Sequence, residues 1–140
     1  VLRNKISGTI TIIDLKTATR GWWDIQKKNF YKKSPLLLYK QFYSEKFNVP
    51  LDKINVYFLI LKRKISKKSD FPISRLQRFE PPHGKISINK TMKAFNEFRE
   101  LIFDSKGEYR TDRNYSAKPG SACKFCEFYN TEHCKWGKIL

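Results

Sequence analysis

With 140 residues, 40% of them hydrophobic and 15% aromatic, the chain holds enough apolar material for one folded domain and hardly enough for two, which argues against a disordered polymer. Its 29 Lys and Arg against 13 Asp and Glu give a formal net charge of +16. That bias favours a polyanionic partner, nucleic acid first; a lysine-rich genome is the bland alternative.

In chain order, Val1-Leu2-Arg3 reads as the end of a strand, followed by turn residues Asn4-Lys5 and Ser7-Gly8. The run TITIIDLK, from Thr9 to Lys16, is β-branched and apolar, a mostly buried strand that pairs with the first as a hairpin. Trp22 to Tyr31 is an aromatic and basic connection. Ser34 and Pro35 then read as the N-cap and first residue of a helix carrying Leu36, Leu37, Tyr39, Phe42, Tyr43 and Phe47 at helical spacing, closed by Asn48 and Pro50. INVYFLILKRKI, from Ile54 to Ile65, is a long strand whose central run suggests burial on both faces.

A polar turn at Lys67-Lys68-Ser69-Asp70 precedes a strand at about Arg75 to Phe79, stopped by Pro81-Pro82. Ser87 caps a helix from about Ile88 to Phe103, with Met92, Phe95, Phe98, Leu101 and Ile102 on one face. A polar, turn-rich stretch with aromatics at Tyr109 and Tyr115 leads to Cys123, Cys126 and Cys134. The expected architecture is an α/β layer, a mixed sheet covered by helices. The longest apolar runs fall far short of the roughly 20 residues that span a bilayer. No secretory signal or basic amphipathic helix is visible, so a cytoplasmic protein without a membrane partner is expected.

Asp14-Leu15-Lys16 ends the buried strand. Residues two apart on a strand face the same side, so a carboxylate and an ammonium project together at the strand terminus. Hydrolysis of a phosphodiester needs a cation held by carboxylate oxygens and gains from a fixed positive charge near the attacking water. On spacing alone an ordinary salt-bridged strand end is the commoner explanation. Arg20, Trp22, Trp23, Lys27, Lys28, Tyr31, Lys32 and Lys33 follow, with Lys62, Arg63 and Lys64 at the end of the later strand. Cations among aromatic rings suit single-stranded DNA, through phosphate contacts and base stacking. The competing reading plugs at least one of Trp22 and Trp23 into the core. His83, in a turn, has no assigned role.

In the strand GTITIIDLKT from Gly8, the helix PLLLYK from Pro35 and the strand INVYFLILKR from Ile54, in that order, the chain resembles the RecB-like branch of the PD-(D/E)XK nucleases, with phage-encoded members nearest. The resemblance covers Gly8 to Arg63 and implies a restriction-endonuclease-like core over residues 1–104. It implies a metal-dependent deoxyribonuclease, an exonuclease in preference to an endonuclease, acting on single-stranded DNA or duplex ends. Asp14 and the Leu15 backbone carbonyl would bind Mg²⁺ or Mn²⁺, Lys16 would orient or activate water, and Tyr39 would position substrate. Arg20, Trp22, Lys27, Lys28, Lys62 and Arg63 would contact DNA. Two departures stand out. The helix motif's glutamine position holds Pro35, and Gln41 lies about 120° off that face. The family's other acidic ligands find no match, and the chain opens on Val1, so an N-terminally truncated core is expected.

C-x-x-C sets two thiolates on one metal through a tight turn, and an odd, clustered set without a secretory signal argues for a metal site over disulfides. Iron–sulfur members of the family, the CRISPR-adaptation exonucleases included, carry three cysteines after the core. The resemblance therefore implies that Cys123, Cys126 and Cys134 ligate a four-iron, four-sulfur (4Fe-4S) cluster in a tail over residues 105–140. Zn²⁺ with His133 as a further ligand, and three unliganded cysteines, are the alternatives. Beyond the nuclease, a non-catalytic nucleic-acid-binding module on the same fold and a zinc-binding interaction protein remain open.

Overall fold

The computed structural model describes residues 1–65, 74–113 and 119–134. The chain divides into two compact units, Val1–Arg99 and Glu100–Leu140. The first is built on a four-stranded mixed sheet in the order β1-β2-β3-β4, from β1 (Leu2–Arg3), β2 (Ile10–Ala18), β3 (Ile54–Lys62) and β4 (Leu76–Phe79). The central pair, β2 and β3, runs parallel in register from Ile10 opposite Ile54 to Ala18 opposite Lys62. β1 and β4 flank it antiparallel. Helices α1 (Asp24–Lys28) and α2 (Phe30–Phe47) make the crossover between the parallel strands, as that connection requires. α3 (Lys85–Ile102) follows the sheet.

The core forms where β2 and β3 present their alternate residues. Ile10 and Ile12 of β2 and Ile54, Val56, Phe58 and Ile60 of β3 are buried with Leu36 and Leu37 of α2 and with Trp22. The expectation of burial on both faces of β3 needs correction. The strand alternates, with Asn55 exposed and Tyr57 and Leu59 only half-covered. An apolar run can therefore sit in a sheet covered well on one face, because Tyr57 keeps its ring useful outside the core: Arg78 of β4 stacks over it at 4.3 Å.

α2 begins five residues earlier than Ser34 and Pro35 suggested, at Phe30. Asn29 is the true cap, its side chain accepting from the Lys32 N–H at 3.1 Å. Ser34 lies inside the helix and donates back to the Phe30 carbonyl at 2.8 Å. Pro35 is thus internal, a position that forfeits one backbone hydrogen bond. The C-terminus ends as expected, with Asn48 left-handed at φ 51° and its N–H on the Ser44 carbonyl.

α3 buries Ile88 and Thr91 rather than the whole anticipated stripe; Phe98 and Leu101 stay exposed, and Phe95 meets Phe42 edge-on at 5.6 Å. The turn expected at Lys67 to Asp70, and Tyr115, lie outside the described residues. In the second unit Phe103 and Tyr109 form a β-bridge around a turn in which the Asp104 carboxylate accepts from the Lys106 and Glu108 N–H groups. A short 3₁₀ helix covers Ser121–Phe125. No helix among the described residues is long and apolar enough to cross a membrane.

Phe58 is completely buried and packs against both Trp22, at 4.9 Å between ring centroids, and Phe79, at 6.2 Å. Phe58→Ala is expected to cost roughly 3–5 kcal/mol, since the rings around it cannot collapse into the space. Urea denaturation of the two proteins measures it; a loss under about 1 kcal/mol would show that this cluster is not the centre of the core.

Candidate active site and its surroundings

β2 delivers the site by its periodicity. Ile10, Ile12, Asp14, Lys16 and Ala18 share one face of the strand, and Ile10 and Ile12 on that face are buried. Asp14 and Lys16 are therefore the point at which the core face runs out toward solvent. The Asp14 side chain is 12% exposed and the Lys16 side chain 43%, and their charged ends meet at 3.1 Å. Leu15, on the opposite face, is exposed.

Beyond β2 the parallel ladder continues in the loops. The Arg63 N–H donates to the Ala18 carbonyl at 2.9 Å, the Lys64 N–H to the Thr19 carbonyl at 2.7 Å, and the Arg63 guanidinium to the Thr19 hydroxyl at 3.2 Å. The chain then turns at Gly21, whose φ of +98° favours glycine. A Cβ there would stand 2.7 Å from Gln77 Oε1 and 3.2 Å from Lys62 Cε. Gln77 holds both sides of the next peptide unit: the Trp22 N–H donates to its Oε1 at 2.6 Å, and its Nε2 donates to the Trp22 carbonyl at 3.0 Å. Arg20, Lys62 and Arg63 thus lie at the C-terminal end of the β2–β3 pair, the end nearer Lys16 than Asp14.

The remaining predicted residues are more scattered in role. Trp22 is a core residue, 7% exposed, with the Lys32 ammonium over its ring at 5.4 Å. Trp23 is the exposed ring of the pair, at 66%. Lys27 is paired with Asp24 at 3.5 Å. Lys28 is exposed at the end of α1. Tyr39 is exposed on α2, and no hydrogen bond among the described residues joins it to Asp14 or Lys16.

The sequence matches the model of the PD-(D/E)XK nuclease superfamily over residues 1–131. The chain belongs to the PD-(D/E)XK nuclease superfamily. Comparison with curated proteins and with solved structures finds no match. The mixed sheet flanked by helices agrees with the restriction-endonuclease-like fold of the superfamily.

Metal ligation has to be corrected. Among the described residues no group of three or more His, Cys, Asp or Glu side chains could hold a metal ion. The Mg²⁺ or Mn²⁺ site expected at Asp14 and the Leu15 carbonyl finds one carboxylate, already neutralised by Lys16, and this donor set does not fit a hard cation that wants several oxygen ligands. The 4Fe-4S cluster expected on Cys123, Cys126 and Cys134 is likewise overturned. All three thiols are free, and they do not form a common centre. The Cys123 sulfur is used locally, accepting from the Gly120 N–H at 3.4 Å, while Cys126 is exposed. Zn²⁺ fails for the same reason: His133 turns to Glu132, at 3.8 Å, and to the Phe128 ring. C-x-x-C spacing permits convergence, but the 3₁₀ turn at Ser121–Phe125 does not produce it.

One buried ionic chain escaped the sequence reading. Lys40 follows Leu36 and Leu37 at helical spacing on α2 and is only 3% exposed. Its ammonium lies 2.8 Å from His83 Nδ1 and donates to the His83 carbonyl at 3.2 Å. With Nδ1 accepting, Nε2 carries the ring proton and donates to Glu80 at 3.0 Å; Arg78 holds the other Glu80 oxygen at 3.1 Å. Burial pushes Lys40 below the usual lysine range, against the opposing pull of the Asp52 and Glu80 carboxylates. The helical spacing was the available signal for Lys40; nothing local marked His83.

The hydrogen bond from His83, aided by Arg78, holds Glu80 below the ordinary carboxylate value of 4.5, although slight burial opposes it. A lowered carboxylate pKa stabilises the fold above the unfolded value, and that contribution is lost as pH falls through the folded one. Wild-type stability should therefore decline from about pH 4.5 downward more steeply than that of Glu80→Gln. Urea denaturation along an acid series checks this, and parallel acid limbs would remove Glu80 from the account.

Proposed function

We propose that this chain acts on DNA as a phosphodiester hydrolase, with Asp14 and Lys16 as the pair that meets the scissile phosphate. The observation that carries the reading is their position: two opposite charges on one strand face, at the margin of the core, in a chain of a nuclease superfamily. The Lys16 ammonium is half-exposed and can stabilise charge gathering on the phosphoryl oxygens as water attacks phosphorus. Asp14 fixes that ammonium and offers a carboxylate oxygen to the attacking water's proton. Arg20, Lys62 and Arg63, at the same end of the parallel pair, supply backbone contacts, and the exposed Trp23 ring offers a surface for base stacking. Exonuclease action on strand ends is the finer form of this reading.

A second reading has one specific observation in its favour. Asp14 is already satisfied by Lys16, and no three-ligand metal group stands beside it among the described residues. A module that binds nucleic acid on the nuclease fold without cutting it needs nothing more.

Asp14→Asn and Lys16→Met separate the two. If the pair is catalytic, each should lower cleavage of a labelled oligonucleotide by about 100- to 1000-fold. Affinity at fixed salt should stay nearly unchanged for Asp14→Asn. Wild-type turnover in either variant removes that residue from the chemistry. Tight binding by a wild-type chain that never cleaves, with or without added divalent cations, establishes the second reading.

Either way, binding should weaken with salt. If about five phosphates of a single strand are neutralised, log affinity should fall against log salt with a slope of about −3.5. A slope near zero would mean that the +16 charge is not a nucleic-acid footprint.

A further inference from the structure

A cavity of about 210 Å³ lies among α1, α2 and α3, away from Asp14 and Lys16, neither of which lines it. Lys28 of α1, Lys33 of α2 and Lys90 of α3 line it, and no carboxylate does. Three ammonium groups around one space without an acid among its lining residues are mutually repulsive. Three cations outside this wall do have an acid beside them: Lys16 has Asp14, Lys27 has Asp24, Arg78 has Glu80. The Lys90 ammonium sits 5.6 Å over the ring of Phe30, another lining residue, which keeps that charge at the cavity wall.

A second observation is independent of charge. Thr91, 2% exposed, also lines the cavity, and its hydroxyl oxygen is buried with no hydrogen-bond partner. A threonine inside a helix usually satisfies itself on the carbonyl one turn back. A buried polar atom left unpartnered beside a cavity lined by three ammonium groups marks a place where something else completes the bonding. Threonine in a helix has two accessible χ1 wells, so a rotamer change can turn this hydroxyl without moving the backbone. Ser87, one turn earlier on α3, adds a second hydroxyl to the wall.

We propose that this cavity is a phosphate-binding pocket. Lys28, Lys33 and Lys90 supply the charge, and Ser87 and Thr91 supply hydroxyl donors. A tetrahedral dianion accepts hydrogen bonds in many directions, and lysine binds phosphate as a point charge, so this set matches phosphate better than a planar carboxylate. The volume far exceeds the roughly 10–15 Å³ that one water needs. The phosphate has two possible sources of the same chemistry, a free phosphate compound or the terminal phosphate of a nucleic-acid strand.

The test is calorimetric titration of the whole chain with inorganic phosphate, against chloride at matched ionic strength. Saturable binding is expected, at least about tenfold weaker in Lys33→Glu/Lys90→Glu. Thr91→Val is the more discriminating variant. Removing an unpartnered buried hydroxyl should raise the melting temperature of the phosphate-free protein and weaken phosphate binding by about tenfold. A merely structural threonine would not move both in opposite senses. Oligonucleotides with and without a terminal phosphate, competed against inorganic phosphate, then identify the source. Competition by the phosphorylated strand alone indicates a strand end, and competition by neither indicates a free phosphate compound. No saturable binding above the chloride control, or equal binding by the double lysine variant, overturns the proposal. Because Asp14 is intact in these variants, their outcome is separate from that of the hydrolase reading.

Discussion

The parallel pairing of β2 with β3 is the constraint on which the rest of the first unit depends. Parallel strands cannot be joined by a tight turn, so the chain must spend α1 and α2 on the way from Ala18 to Ile54. The same register brings Phe58 opposite Asp14 and Ile60 opposite Lys16, so the charged pair sits beside two fully buried residues of the neighbouring strand. The ladder continues past both strands, and Arg63 reaches Thr19 because of it. Slide the register by one residue and Asp14 leaves the core face for the exposed face now held by Leu15.

Gln77 extends that constraint to the loop. A Trp at the core margin followed by an exposed Trp must change direction within one peptide unit. The amide of Gln77 meets both polar groups of Trp22, so the buried ring carries no unpaired backbone beside it. Gly21 is the corollary: a side chain there would strike the amide that makes the latch. Lys40, His83 and Glu80 solve a similar problem between α2 and the segment that leads into α3. A buried ammonium is tolerable because two acceptors on His83 receive it and a carboxylate lies beyond them.

The elements with strong local signals could be read from sequence alone. TITIIDLK as a strand, INVYFLIL as another, and the Asn48 stop of α2 follow from β-branching, apolar runs and left-handed caps, and all three are local properties. The Asp14 and Lys16 pair was legible because a strand has period two. What the sequence could not reveal depends on distant partners. Ser34-Pro35 resembles a helix start, yet Asn29 caps the helix because it stands directly before Phe30 at the turn out of α1. Gln77 lies 55 residues from Trp22, and His83 lies 43 from Lys40, so no window shows either contact. The cysteines failed differently. Their spacing is compatible with a metal centre, but convergence is decided by the backbone between them, which here turns the Cys123 sulfur onto its own loop.

The Asp14–Lys16 ion pair on β2 bears on how such a strand could work in phosphate chemistry. A carboxylate at 3.1 Å from an ammonium is, in the resting fold, already compensated. An incoming phosphodiester competes for the same ammonium, and its negative oxygens would draw Lys16 away from Asp14. Lys16 is the more exposed partner and rides on a flexible stem, so it is the side chain able to move. Asp14, largely covered, stays behind with a carboxylate that has lost its counter-charge. On the hydrolase reading proposed above, recognition of the phosphate by Lys16 would thereby leave the Asp14 carboxylate facing the attacking water. The two charges that hold each other in the resting fold are, on that reading, the two that a bound phosphodiester would part.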